Sequence, residues 1–253
     1  MGKEKIVIVP VHNQFAYVKT CIASVLTSDN DCTIIIVDDG STENELLDFY
    51  GMYNYLFTVL YNETAQGFSA ACNKGIQYAL DNFDFDVLCL LNSDAEVVTE
   101  KWFDKVSYFF EAGDKIGVAG VVSDNAMAQT IHDIPTYLKT IDKKPTVYCN
   151  IIHGYCYFMS KKVIETIGMF DVKTFVAYGG EDDYSLRAIK NGFNNIIVGS
   201  VLVKHKGEAS YSSSVRSKFI KTTLPTLQRR WGYKYVSDCV KQANRAGQYL
   251  NNI

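Results

Sequence analysis

The chain predicts an α/β fold, a mostly parallel sheet flanked by helices. Two observations carry this. Short, β-branched apolar runs alternate with segments of helical period, as successive βαβ units require. The first, second and fourth of those runs also stop at polar side chains, His12-Asn13, Asp38-Asp39 and Asn92-Ser93-Asp94. In open parallel sheets ligands bind outside the carboxyl ends of the strands, so these three places are the first candidates for a site.

The elements follow in order. Lys5 to Pro10 is a buried strand closed by proline. Phe15 to Leu26 places Val18, Ile22, Val25 and Leu26 at helical spacing. Cys32 to Val37 is a second buried strand, ended by Asp38-Asp39-Gly40-Ser41. Asn44 to Tyr53 suits a helix, Tyr55 to Tyr61 a strand, and Gly67 to Asn82 a helix with Ala70, Ala71, Ile76, Ala79 and Leu80 on its apolar stripe. Val87 to Leu91 is the fourth strand and Trp102 to Ala112 the next helix.

The second half is less regular. Val118 to Val122 is a strand. Asn125 to Lys144 has no clear period and reads as a loop or lid. Thr146 to Ser160 is aromatic-rich and strand-like around His153-Gly154. A short helix over Lys161 to Ile167, a helix over Glu181 to Asn191 and a strand over Asn195 to Val203 complete the pattern.

With 253 residues, 47% hydrophobic and 21% charged, the chain can bury a core without staples. No apolar run approaches the ~18 residues of a membrane span. Met1 to Lys5 leads straight into a strand, so no signal peptide is expected. Seven cysteines form no CxxC pair and mostly sit in apolar runs, which favours reduced core thiols and a cytoplasmic setting. From Lys204 onward ten Lys and Arg face only Glu208 and Asp238, a local +8 in a chain of net −3. As charge alone this fits a solvated helical face; beside a site it would attract an anionic ligand or the inner surface of a membrane. The expected organisation is a domain over 1–210 with a basic helical segment over 211–253 packed on it. No aromatic–basic interleaving points to nucleic acid.

Candidate chemistry comes from the carboxylates. One Asp would serve the turn after the second strand as an Asx turn or cap; Asp38 and Asp39 together also suit hydrogen bonds to a base and ribose hydroxyls. Asp94 follows a hydrophobic strand and suits a hard cation that completes its shell with phosphate oxygens. Gly179-Gly180-Glu181-Asp182-Asp183 is the densest acidic run. Like charges at one helix start raise the pKa of one of them, which suits a general base. Asp183 is four residues from Arg187 and pairs with it on a helix, leaving Glu181 or Asp182 as the base. His205, at the end of the last strand between lysines, suits a metal or a phosphate. His153 is a weaker candidate.

The order of these motifs resembles the family-two glycosyltransferases. The matching stretches are Ile8 to Asn13, Ile36 to Ser41, Gln66 to Gly75, Leu90 to Asp94, Ile167 to Asp171, Tyr178 to Arg187, His205 with Gly207 and Ser210, and Trp231-Gly232. The resemblance implies a GT-A fold, Rossmann-like, and is nearest to the rhamnosyl- and N-acetylglucosaminyl-transferring enzymes of surface-polysaccharide assembly. It implies a nucleotide-sugar site at Pro10, Val11, His12, Asn13, Asp38, Asp39, Gly67 and Asn73, joined by Asn92 and Ser93. Asn92-Ser93-Asp94 matches the metal-binding DxD position with its first Asp replaced. Mn²⁺ or Mg²⁺ would then rest on Asp94 and His205. Glu181-Asp182 matches the acidic pair that supplies the base; counting from Gly179-Gly180 selects Asp182, counting from Arg187 selects Glu181, and Asp183 completes the cluster. The implied reaction is inverting transfer from a nucleotide sugar, UDP-sugar by family frequency, to a hydroxyl of a glycan or glycolipid.

Three rivals compete with this. A dinucleotide oxidoreductase lacks its glycine cradle, because Pro10-Val11-His12-Asn13 contains no GxGxxG. A nucleotidyltransferase lacks a Gly- and Arg/Lys-rich triphosphate loop. A catalytically degenerate nucleotide-sugar- or glycan-binding protein on the same fold draws its support from Asn92.

Overall fold

The computed structural model describes residues 3–112, 115–176, 178–207 and 213–253, with side chains from 221 onward in the last stretch. Ser210 lies outside the described residues, as do Glu208 and the side chains of Arg216 and Lys218.

Strands β1 (Lys5–Val11), β2 (Cys32–Asp39), β3 (Phe57–Asn62) and β4 (Val87–Leu91) run parallel in the order β3-β2-β1-β4. Helices α1 (Phe15–Ser28), α2 (Asn44–Met52) and α3 (Phe68–Asn82) connect them. The chain moves outward from β1 to β3 and then returns to pair β4 on the other side of β1. That reversal opens a crevice above the carboxyl ends of β1 and β4.

The second half departs from the expected parallel order. It comprises β5 (Ala95–Val97), α4 (Trp102–Glu111), β6 (Ile116–Val122), α5 (Ile134–Leu138), β7 (Thr146–Tyr148) and β8 (Cys156–Ser160), then α6 (Lys161–Ile167), α7 (Gly180–Lys190) and β9 (Asn194–His205). β8 enters antiparallel between β4 and β6, while β5 and β7 pair antiparallel with the long β9. Six of the nine strands found among the described residues still share one direction, since β6 and β9 run with the first four. His153-Gly154 is not in a strand; it lies in the turn between β7 and β8, which aims it at the crevice.

Strand alternation sorts the core into two faces. Val7 and Val9 pack with Val18, Ile22, Leu46 and Trp102 under α1, α2 and α4. Ile6 and Ile8 pack with Ile76, Val163 and Tyr184 under α3, α6 and α7. All seven cysteines are free and buried, which agrees with their apolar neighbourhoods.

The stretch read as a loop or lid is held down by its own side chains. Tyr137 on α5 is 3% exposed and donates its hydroxyl to Gly199 O at 2.9 Å, and buried Gln129 donates to Val121 O. Two C-terminal helices, α8 (Ser213–Trp231) and α9 (Tyr233–Asn251), then cross the crevice side of the molecule. On α9, Ala243, Ala246 and Leu250 join the core. Gly247 makes that seat available, because any Cβ there would overlap Ala128 O. No helix among the described residues is long and apolar enough to cross a membrane.

Candidate active site

The crevice is a cavity of about 650 Å³. Pro10, Val11 and His12 reach it from the end of β1, Asp39 from β2, and Asn92 with Ser93 from β4. Glu181 and Asp182 reach it from the start of α7, and His205 from the end of β9. Pro10 and His205 thus converge from opposite ends of the domain because parallel strands place their carboxyl ends on one side of the sheet.

The β2 end is fully hydrogen-bonded. Asp38 is 2% exposed; its Oδ1 accepts from Ser41 N at 2.8 Å and its Oδ2 from Tyr50 Oη–H at 2.9 Å. This is the Asx turn weighed above, and Asp38 faces away from the cavity. Asp39 accepts from Asn62 Nδ2 and Gln66 N on Oδ1, and from Gly67 N on Oδ2, each at 2.8 Å. It both lines the cavity and fixes the start of α3. A carboxylate offers about four lone-pair sites, so capacity remains for a ligand donor. His12 Nδ1 lies 2.8 Å from Asp39 O, which orients its ring.

Three other expected residues hold loops and do not line the cavity. Asn13 Oδ1 accepts from Thr42 N at 2.8 Å, and Asn13 N donates to Ser41 Oγ, so it ties the β1 and β2 ends together. Gly67 takes φ 93° because its N–H must meet Asp39 while Val176 O would sit 2.7 Å from a Cβ. Asn73 exchanges two hydrogen bonds with the backbone of Phe170, at 2.9 and 3.0 Å, and anchors the loop before α7.

At the β4 end, Asp94 is 8% exposed and accepts from Gly207 N at 2.9 Å on Oδ2. Its Oδ1 lies 3.4 Å from His205 Nε2, and Asn92 Nδ2 lies 3.2 Å from that same nitrogen. His205 Nδ1 is 2.9 Å from Asn125 O, a pure acceptor, so Nδ1 carries a proton; Nε2 can accept from Asn92 Nδ2 when the ring is neutral and donate to Asp94 when the ring is protonated. Tyr155 stacks on the ring at 5.1 Å and 26°. Burial disfavours the charged ring, but the hydrogen bond and negative charge of Asp94 outweigh it and raise the His205 pKa. Asn92 Oδ1 is buried with no hydrogen-bond partner.

The α7 start divides its three acids. Asp183 is 0% exposed and saturated: Arg187 Nε donates to Oδ2 at 3.0 Å, while Arg230 and Trp231 donate to Oδ1 at 3.0 and 2.9 Å. Its place is structural, bolting α8 to α7, which removes it from the proton-transfer set. Asp182 lines the cavity, yet its Oδ1 is buried without a partner. Burial, then the charges of Glu181 and Asp183, push its pKa up to about 8. Burial also raises the pKa of Glu181, whose side chain lies over Gly154. Gly179, with φ 83°, admits Thr223 of α8 against its Cα, whereas Gly180 makes room for Ser69 Oγ.

Burial, then the nearby His205, lowers the His153 pKa to about 4, leaving a neutral imidazole in the cavity wall. The wall also contains residues that sequence reading passed over. Tyr155 and Asn125 support His205, and Leu224, Leu227, Val236 and Val240 bring the apolar sides of α8 and α9 to the cavity. The helical period of these apolar residues was the available signal; their charged neighbours masked it.

Asp29, Asp31 and Cys32 also gather within metal-binding reach of one another. They lie at the amino ends of β1 and β2, opposite the cavity. Lys5 Nζ already bridges Asp29 and Asp31 at 3.0 Å each and Asp104 at 2.8 Å, so an ammonium fills the role a cation would take.

Residues 6–168 match the profile of the family described as Glycosyl transferase family 2. Among solved structures, the fold is similar to GalNAc-T7 with UDP, GalNAc and Mn²⁺, with TM-score 0.68 and 17% identity over 89% of this chain and 48% of that one. It is also similar to the mannosyltransferase PcManGT from Pyrobaculum calidifontis in complex with GDP-Man and Mn²⁺, with TM-score 0.65 and 15% identity over 99% of this chain and 74% of that one. The chain therefore spans about half the length of GalNAc-T7. At such identities the likeness is one of fold, the GT-A architecture. No curated protein sequence gives a significant match.

Proposed function

The chain belongs to glycosyl transferase family 2, and on that premise we propose an inverting transfer of a sugar from a nucleotide sugar, UDP-sugar first, to a hydroxyl of a glycan or glycolipid. One observation carries the reading. Asp182, one of whose carboxylate oxygens is buried without a partner, lines the same cavity as the polar ends of β1, β2 and β4.

The geometry supports the following roles. His12 and Asp39 hold the base and ribose, with Pro10 and Val11 as the apolar floor. Asp182 takes the acceptor hydroxyl's proton as the oxygen attacks the anomeric carbon, and the nucleoside diphosphate leaves from the opposite face. A carboxylate short of donors is a stronger base than a saturated one; with a pKa of about 8 it is the ionised form, gained as pH rises through that value, that accepts the proton. Glu181 beside it sustains the raised pKa. The apolar cover of α8 and α9 keeps water from competing with the acceptor. The segment after 210 is then a basic helical appendage to the transferase domain, completing the cavity at the cytoplasmic face of a membrane.

The residues present fit a divalent cation. Asp94 Oδ1 and His205 Nε2 stand 3.4 Å apart, and the buried oxygen of Asn92 has no other partner. Mn²⁺ or Mg²⁺ held there would neutralise charge on the departing diphosphate. The neutral Asn92 supplies less charge than an Asp, so the ion should bind weakly until the nucleotide is present.

The test is a panel of UDP-, dTDP- and GDP-sugars, assayed for release of nucleoside diphosphate with added Mn²⁺ or Mg²⁺. Release from at least one donor, slowed by chelator, is expected. Tight nucleotide binding with no release from any donor would favour the non-catalytic binding protein.

A further inference from the structure

We infer that His153 selects the transferred sugar, by hydrogen-bonding a hydroxyl of an uncharged pyranose. This rests on the glycosyl-transfer reading and assigns a specificity residue to the same cavity. Three histidines line that cavity, His12, His153 and His205. His12 is held by Asp39 O, and His205 by Asn125 O, with Asn92 and Asp94 at its other nitrogen. Among the described residues, neither ring nitrogen of His153 has a hydrogen-bond partner. Its backbone, by contrast, is pinned. His153 N donates to Gln129 Oε1 at 2.7 Å, and the preceding Ile152 N donates to Ser185 Oγ at 3.3 Å. A ring on a fixed backbone, in a cavity wall and with both nitrogens idle, is a hydrogen-bonding group set in place for a ligand.

The neighbours of His153 place it between the two ends of the reaction. A Cβ on Gly154 would lie 3.1 Å from Glu181 Cγ, so this side of the turn rests on the acids of α7. Tyr155, one residue further, stacks on His205 at the corner that suits a metal. The anomeric carbon has the base on one side and the departing diphosphate on the other, so the transferred sugar lies along this turn. Charge then decides the kind of sugar. None of the described residues lining the cavity is Lys or Arg, and burial keeps the His153 ring neutral. A uronate carboxylate would enter beside Glu181 and Asp182 with no side-chain cation to meet it, a cost that an uncharged sugar avoids. A neutral imidazole offers one donor and one acceptor, the same pair of roles that a sugar hydroxyl can answer.

The full chain with Mn²⁺ is titrated calorimetrically with UDP, UDP-glucose, UDP-N-acetylglucosamine and UDP-glucuronate, and with GDP and GDP-mannose. Wild type, His153→Ala and His153→Gln are compared. The neutral nucleotide sugar that wild type binds best should weaken about tenfold in His153→Ala, because a hydrogen bond inside the cavity is lost. The free diphosphates touch no part of this turn's ring and should change less than about twofold. His153→Gln keeps a donor and an acceptor and should restore affinity to within about threefold of wild type. UDP-glucuronate should bind wild type about tenfold or more weakly than UDP-glucose. Unchanged affinity for every nucleotide sugar in His153→Ala overturns the inference. So does an equal loss for the free diphosphates, which marks a residue that only supports the fold. UDP-glucuronate binding tightest of the series overturns the uncharged sugar. In each of these cases diphosphate binding by the wild type leaves the glycosyl-transfer reading standing. Absence of both UDP and GDP binding by the wild type contradicts the transfer reading itself.

Discussion

Asp38-Asp39 at the end of β2 and Glu181-Asp182-Asp183 at the start of α7 are both acidic runs, both beside the same cavity, and they differ in what the fold gives them. At β2 five donors converge on two carboxylates and leave no buried oxygen without a partner. At α7 three donors all go to Asp183, and Asp182 keeps a buried oxygen that nothing satisfies. Donors favour the charged carboxylate and fix its loop; withholding them inside a buried site favours the protonated acid. The first cluster is therefore a rigid holder and the second holds a base. The difference lies in the neighbours, since the acids are the same.

Breaking the saturated member of the second cluster should have the largest effect on stability. Asp183→Ala leaves Arg187, Arg230 and Trp231 without their acceptor, and removing one partner of a buried pair costs about 3–5 kcal/mol. Chemical denaturation would show it, with α8 loosening first by hydrogen exchange. Next, Asp39→Ala should weaken UDP binding by about 1–3 kcal/mol, since a buried hydrogen-bonding group and the α3 start are lost together. Retained UDP affinity would move the base pocket away from β2.

The unsatisfied member should behave oppositely with pH. Its folded pKa is raised, so between an ordinary carboxylate pKa near 4 and about 8 the native state keeps a proton that the unfolded chain releases. Stability contributed by this group is complete at low pH and falls as pH rises through that window, by up to about 1.4 kcal/mol per pH unit for one proton. Asp182→Asn should flatten that slope and unfold later than wild type at pH 8. A slope equal to wild type would mean that Asp182 is already ionised in the folded protein. The smallest effect belongs to the cluster at the far end of the sheet. Asp31 is largely exposed beside Lys5, so Asp31→Asn should change stability by less than about 1 kcal/mol and leave chelator sensitivity untouched. Loss of metal dependence in that variant would relocate the ion.

The sequence makes local order legible. Val87–Leu91 and Lys161–Ile167 fall at the bounds their apolar periods predict, and the three polar strand ends meet at one cavity because parallel strands must place them there. The Asp183–Arg187 pair was readable from helical spacing alone. What escaped depends on contacts between distant segments. The antiparallel entry of β8 is set by its pairing with β4 and β6, which no local period encodes. Asn13, Gly67 and Asn73 sit in motif positions but face loops, a distinction made by hydrogen-bond partners 29, 28 and 97 residues away. The apolar wall of α8 and α9 was hidden behind their charge because each helix carries both, on different sides.

The central claim is that Asp182 removes the acceptor's proton in a glycosyl transfer, and the most direct test is transfer by Asp182→Asn beside Glu181→Gln, with nucleotide binding measured on the same samples. Losing a general base should cut turnover about 10²–10⁴-fold while donor affinity holds. The account predicts that loss in Asp182→Asn and a smaller one in Glu181→Gln. Full transfer by Asp182→Asn, with Glu181→Gln inactive, would contradict it and give the proton to Glu181.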